Sequence, residues 1–297
     1  MRVGSSPIGM ARHTEIKRFL LAAIAFAALG AFASPLGPDG NPGQRLPGKF
    51  IWIDLATENP NGARDFYGAV FGWKFREIEN ARVPYTLIEN ATGKVGGMFR
   101  QVRPPGAKVG SKWISVMSVE DPSKAARLVA ERGGQVLLAP TVVPGRGTHA
   151  LFRDPEGAVF GVLANDGGDP PDAPVNDGDV FWLDLFAHDP ARQAAFYSAI
   201  GGYSVDVGEV AGRERTILAT NAIARAGVAR LPPGAEKSAW LPFILVDDVP
   251  GALARATKAG GKVLLAPRAA LLGGNLAVIA DPAGGAIGIV NWVEEGK

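Results

Sequence analysis

The chain repeats itself at long range, and that repeat fixes most of what it can fold into. "FIWIDLATENPNGARDFYGAVFGW" from Phe50 is matched by "VFWLDLFAHDPARQAAFYSAIGGY" from Val180 at an offset of 130. Farther on, "ERGGQVLLAP" is matched by "KAGGKVLLAP" and "FRDPEGAVFGVL" by "IADPAGGAIGIV", both at an offset of 127. One short deletion accounts for the change. Similarity sustained over so long a stretch means a duplicated domain. The 297 residues suit two domains and give each enough chain for its own core.

The repeat is nested. In the first half of the first block, a strand over Phe50–Thr57 precedes an amphipathic helix over Pro60–Phe71. Three strand-like runs follow, Lys74–Ile78, Tyr85–Glu89 and Val95–Arg100. The second half repeats the order with Trp113–Val119, a helix over Pro122–Arg132, then Gln135–Leu138, His149–Arg153 and Val159–Leu163. Asn59 and Asp121 are N-cap candidates with proline directly after them. Paired glycines at 133–134 and 260–261 close the second helix of each block. The fold class is therefore α+β, with four βαβββ modules in two tandem domains, 49–165 and 180–294. Pro-, Gly- and Asp-rich stretches at 34–48 and 166–179 read as linkers.

A self-paired βαβββ unit with "FY" on its first helix, "GW" after it and a late "DPxG" resembles the vicinal oxygen chelate superfamily. That group includes glyoxalases, bleomycin-resistance proteins and extradiol dioxygenases. The motifs are "ARDFYGAVFGW" with "DPEGAVFGVL" in one block and "RQAAFYSAIGGY" with "DPAGGAIGIV" in the other. The resemblance implies that each block folds into a half-open barrel, a cup that holds the ligand. It also implies where metal-using members would place their ligands. Those points fall on Trp52, Gly97, Ile114 and Gly161 in the first cup, and on Trp182, Gly227, Leu241 and Gly288 in the second. None of these side chains offers a donor to a divalent ion, so neither a metal nor another cofactor is expected.

Side chains alternate along a strand, so a tryptophan facing the cup brings along the aspartate two residues later: Trp52 with Asp54, and Trp182 with Asp184. The other walls would be Val95–Gly97–Phe99, Ile114–Val116–Ser118 and Val159–Gly161–Leu163 in the first cup. In the second they would be Arg225–Gly227–Ala229, Leu241–Phe243–Leu245 and Ala286–Gly288–Val290. Apolar walls with few polar groups are what small-molecule pockets are made of. The ligand-contact candidates are accordingly Trp52, Asp54, Phe99, Gly161, Trp182, Asp184, Arg225, Phe243 and Gly288. Asp54 and Asp184 are also the weak candidates for acid–base work. The alternative is structural: the tryptophans fill the cups, and each aspartate pairs with an arginine such as Arg225 or Arg153. His149 reads as a packed or exposed side chain and His188 as part of a turn. Tyr85 and its counterpart Arg215 could rim a cup.

Upstream of the first block, basic residues from Arg12 to Arg18 precede the apolar run "FLLAAIAFAALGAFA", which ends in Ala31-Phe32-Ala33. This pattern reads as a signal peptide over 1–33 cut after Ala33, and the alternative is an uncleaved N-terminal membrane anchor. Fifteen apolar residues fall short of the roughly 20 that a spanning helix needs. Cleavage would take four basic and one acidic side chain from totals of 31 and 29. The mature chain would then be nearly neutral, with no basic stripe for nucleic acid. The chain has no cysteine, which removes thiolate chemistry and thiolate metal sites. The expected function is an exported, metal-free binder of a small, partly apolar molecule, with no membrane contact after cleavage. One alternative is a lyase, isomerase or dioxygenase of the same family. The other is a filled scaffold that binds a protein partner.

Overall fold

The computed structural model describes residues 37–78, 84–101, 110–210 and 213–292. The leader read over 1–33 lies outside them. The first block forms β1 (Phe50–Thr57), α1 (Pro60–Phe71), β2 (Lys74–Glu77), β3 (Tyr85–Glu89), β4 (Lys94–Arg100), β5 (Lys112–Ser118), α2 (Pro122–Glu131), β6 (Gln135–Val143), β7 (Gly147–Arg153) and β8 (Val159–Asn165). The second forms β9 (Val180–Ala187), α3 (Pro190–Gly201), β10 (Ser204–Val210), β11 (Arg213–Thr220), β12 (Ile223–Arg230), β13 (Ala239–Leu245), α4 (Val249–Lys258), β14 (Lys262–Leu265), β15 (Leu276–Ala280) and β16 (Ala286–Val290). The two sheets share one topology: β2-β3-β4-β1-β5-β8-β7-β6 and β10-β11-β12-β9-β13-β16-β15-β14. Two half-sheets thus join through the antiparallel central pairs β1–β5 and β9–β13.

The four α-helices among the described residues start alike, in the way the sequence suggests at Asn59 and Asp121. The side chains of Asn59, Asp121, Asp189 and Asp248 each accept a backbone N–H from the first turn, with proline at one of the first two positions. Behind each sheet, these helices pack crosswise between the blocks. α1 lies against α4, and α2 against α3. One core joins Phe66, Tyr67, Trp73 and Trp113 to Ile244, Ile279 and Ile289. The other joins Phe152 and Phe160 to Leu185, Phe196, Tyr197 and Trp240.

The two recognition motifs meet in these shared cores. Tyr67 donates to the Asp281 carboxylate at 3.1 Å and accepts from Trp113 Nε1 at 3.0 Å. Reciprocally, Tyr197 donates to Asp154 at 3.1 Å and accepts from Trp240 Nε1 at 2.9 Å. Each aspartate also accepts two backbone N–H groups of its own "DPxG" turn. The turn glycines Gly157 and Gly284 sit at φ of 101° and 96°, where a Cβ is strained. "FY" in one block and "DPxG" in the other are two halves of one interblock clasp, made twice.

From residue 37 on, the segments read as linkers hold defined places. Around a fully buried Asp169 carboxylate they close on each other and on β5. It accepts from Leu46 N at 2.6 Å, Ser118 Oγ at 2.5 Å and Arg45 Nη1 at 3.3 Å.

Candidate functional site

Pairing registers place Asp54 between Gly97 on β4 and Ile114 on β5, and Trp52 beside Val116, which in turn pairs with Gly161 on β8. All of these share the inner face. Tyr85 of β3 and Phe99 of β4 lie in one buried cluster with Val143 and Leu151 from the other half-sheet. The sheet must therefore curl for its two ends to share one interior.

At the centre of this first cup stands a sealed polar cluster. Asp54 Oδ1 accepts from Tyr85 OH at 2.6 Å and Trp52 Nε1 at 3.0 Å, and Oδ2 accepts from Arg146 Nη2 at 2.9 Å. Arg146 Nη1 also donates to the Tyr85 oxygen at 2.9 Å, and the guanidinium sits 5.4 Å from the Trp52 ring centroid. Arg146 has no solvent exposure and the Trp52 residue has 2 %. Burial by itself would lower the Arg146 pKa, but Asp54 and Tyr85 hold it above the ordinary value. Burial, then Asp54, keeps the Tyr85 phenol protonated. His149 lines the same cup, where burial and then Arg146 push its pKa well below the usual range and keep it neutral.

Arg146 is the site residue that sequence reading missed. It projects from the tight turn joining β6 to β7, between Gly145 and Gly147 at φ of 72° and 114°. Its only sequence signal is "PGRG", an arginine framed by glycines.

The second cup repeats the design with one exchange. Trp182 Nε1 donates to Asp184 Oδ1 at 3.1 Å. The cation is Arg215, which takes Tyr85's place in the repeat and reaches Asp184 Oδ2 through Nη1 at 2.5 Å. The counterpart of Arg146 is Gly273. Trp182, Phe186 and Leu241 are half-buried, and the Arg215 side chain keeps 16 % of its exposure. Arg215 lies 5.8 Å from the Phe186 ring centroid. Burial raises the Asp184 pKa, and Arg215 opposes the rise.

Several sequence candidates fall where the alternation puts them. Phe99 pairs with Ala56 and Tyr85. Phe243 lies over Gly288, where an added Cβ would stand 2.1 Å from its ring. Arg225 does not join Asp184. Its guanidinium binds the Asp172 carboxylate at 2.5 and 3.0 Å and Thr220 Oγ1 at 2.8 Å. Val95, at the same repeat position, likewise leaves the cup for the shared core. The cause is a register shift between Ile88 and Glu89 and again between Leu218 and Ala219, the same place in each block. A bulge of this kind throws the strand out of phase. Arg225 is therefore not the partner of Asp184, and Arg153 Nη1 reaches Gln135 Oε1 at 3.4 Å.

These residues do not fit a divalent ion. A Cβ at Gly97 would lie 1.8 Å from Tyr85 OH, one at Gly227 2.2 Å from Asp184 Oδ1, and one at Gly161 3.1 Å from Val116. Donor side chains have no room at these positions. The carboxylate in each cup is already paired with a guanidinium that would repel a cation. Among the described residues, no three His, Cys, Asp or Glu side chains converge.

Residues 49–162 match the family model described as glyoxalase/bleomycin resistance protein/dioxygenase superfamily, and 181–290 match that of a glyoxalase-like domain. A putative glyoxylase of Mycobacterium bovis, CFP32, is 35 % identical over 117 residues, 39 % of this chain and 44 % of that protein. The anthracycline biosynthesis protein DauV of a Streptomyces species is 26 % identical over 266 residues, 84 % of this chain and 94 % of the relative. Among solved structures, the Mn(II)-bound glyoxalase of Novosphingobium aromaticivorans superposes with a TM-score of 0.54 at 15 % identity, covering 84 % of this chain and 82 % of that one. The 2,2',3-trihydroxybiphenyl 1,2-dioxygenase of Sphingomonas wittichii gives 0.53 at 12 %, covering 84 % and 91 %. At such identities the structures speak for the fold alone.

Proposed function

The chain belongs to the glyoxalase/bleomycin resistance protein/dioxygenase superfamily, with two such domains in tandem, and on that premise we propose that its second cup is a metal-independent binding site for a small, partly apolar molecule. One observation carries this reading. Trp182, Phe186 and Arg215 keep access to solvent around a buried carboxylate, whereas Trp52, Tyr85 and Arg146 are sealed. An aromatic wall with one charged pair at its base suits a flat molecule of mixed polarity. The first cup, filled by its own side chains, serves as the structural partner. We further assign residues 1–33 as a signal for export, which N-terminal sequencing of the mature protein would test.

The function is tested by titrating labelled protein with 2-naphthol while following the indole N–H resonances. The Trp182 signal moves and the Trp52 signal does not, and prior treatment with EDTA leaves the affinity unchanged. Movement of Trp52 alone would assign the wrong cup. Binding that disappears with EDTA and returns on adding a divalent metal would overturn metal independence.

A further inference from the structure

The first cup holds, built into its own chain, a model of what the second cup lacks. Three groups surround the Tyr85 oxygen. It donates to Asp54 Oδ1 at 2.6 Å, and it accepts from Arg146 Nη1 at 2.9 Å and Trp52 Nε1 at 3.2 Å. A carboxylate, a guanidinium and an indole N–H thus cradle one phenolic hydroxyl. The second cup keeps all three in Asp184, Arg215 and Trp182. It has lost the phenol, because Arg215 stands where the tyrosine was.

The hydrogen-bond count agrees. Asp54 Oδ1 accepts two side-chain donors, the indole and the phenol, whereas among the described residues Asp184 Oδ1 accepts only the indole. The Arg215 guanidinium spends one N–H on Asp184 and makes no other hydrogen bond among the described residues. A guanidinium carries five. One oxygen that both donates and accepts would complete the set. The Asp184–Arg215 pair is already neutral, so an uncharged hydroxyl suits it better than an anion, which would leave an excess negative charge in a mostly buried site.

We propose that the second cup binds the hydroxyl of an aryl or enol ligand, its oxygen donating to Asp184 Oδ1 and accepting from Arg215 and Trp182 Nε1, in the role that Tyr85 fills in the first cup. The ring lies along Trp182 and Phe186. It enters from the β14–β15 side, where Gly273 leaves out the arginine that plugs the first cup. This inference names the ligand class of the site proposed above and rests on that reading.

Calorimetric titration of the full chain with 2-naphthol and with 2-methoxynaphthalene tests it. The two have the same ring system, but the ether cannot donate. The naphthol binds about tenfold tighter or better, the usual worth of a hydrogen bond to a charged group. The preference falls to about one in the double variant Asp184→Leu/Arg215→Met, which replaces the ion pair by apolar side chains. If both probes bind the second cup equally, the hydroxyl assignment is overturned and the pocket survives. If neither binds, both readings fall. A second arm uses the first cup. Tyr85→Ala leaves a cavity lined by the same three groups, and phenol should raise its melting temperature where anisole does not. Equal stabilisation by phenol and anisole would overturn the cradle as a hydroxyl site.

Discussion

The two cups began as one sequence and now treat the same carboxylate differently. Each keeps the indole–aspartate pair on its first strand, at Trp52/Asp54 and Trp182/Asp184, and each neutralises the aspartate with arginine. The cation, however, comes from opposite half-sheets: from the β6–β7 turn in the first cup and from β11 in the second. Where the arginine arrives from the turn, tyrosine keeps its place on the strand and the interior closes. Where it takes the tyrosine's place, the turn position is glycine and the wall stays open to solvent. Moving one charge across a duplicated framework thus accompanies the difference between a sealed cup and a partly open one.

The largest expected effect breaks this contrast at its centre. Arg146→Met leaves Asp54 buried without its cation and should cost about 3–5 kcal/mol of unfolding free energy, measured by urea denaturation. Adding Asp54→Leu should return most of that loss, because an apolar replacement for a buried pair is often neutral. A double variant no more stable than the single one would show that Tyr85 and Trp52, left without Asp54 and Arg146, carry the loss.

The clasps test the opposite property, sameness. Tyr67→Phe and Tyr197→Phe each remove one donor to a buried aspartate and one acceptor for an indole N–H. Each should cost about 1–3 kcal/mol, with near-equal values, since the bonds to aspartate and tryptophan recur in both networks and Tyr67 adds only a longer contact to Gly285 O at 3.3 Å. Both variants should unfold in a single transition, because each core draws on both blocks. Separate transitions for the two blocks would contradict the shared cores.

How far the sequence disclosed all this follows from which forces act locally. Nested repeats, caps and strand phase are local or periodic, and they led to the right modules, the right central strands and the right inner face for Trp52, Asp54, Trp182 and Asp184. Three features escaped. Arg146 lies in a stretch left unread after Leu138, because β6 runs on to Val143, and arginine is a residue type seldom fully buried. Arg225 was placed in the cup by strict alternation, which a bulge had already broken. The "FY" and "DPxG" motifs identified the family, but their contact spans more than 200 residues in one copy. No local pattern encodes it.

A smaller difference is expected from the open cup. Arg215→Met removes a cation that solvent partly reaches, so it should cost roughly 2 kcal/mol at neutral pH, between the surface and buried cases. The deficit should shrink on acidification. Asp184 has its folded pKa raised by burial, so the native state binds the proton more readily than the unfolded chain. Stability therefore falls as pH rises through the interval between the two pKa values. Without Arg215 opposing it, the rise is greater, and the variant should approach the wild type below about pH 4, where the unfolded aspartate is also protonated. A deficit independent of pH would locate the loss in packing against Phe186 and not in charge.

The smallest effect belongs to the third divergent position, Val95 in one block and Arg225 in the other. Valine there joins the shared core, while arginine reaches out to Asp172, which Lys49 also contacts at 3.0 Å. The hydrogen bond from Arg225 comes first, burial opposes it, and Lys49 adds to it, so the Asp172 pKa falls to about 2. A depressed folded pKa gives stability that is present above the unfolded value, about 3.9, and disappears as pH drops through the folded one. Asp172→Asn should therefore match the wild type near pH 2 and fall slightly behind it above pH 4. Because 37 % of the Asp172 side chain is exposed, added salt should narrow the gap. A gap that is unchanged from pH 2 to pH 5 would mean that Arg225 holds the 166–179 segment by packing its stem, and the divergence at this position would then be steric and not electrostatic.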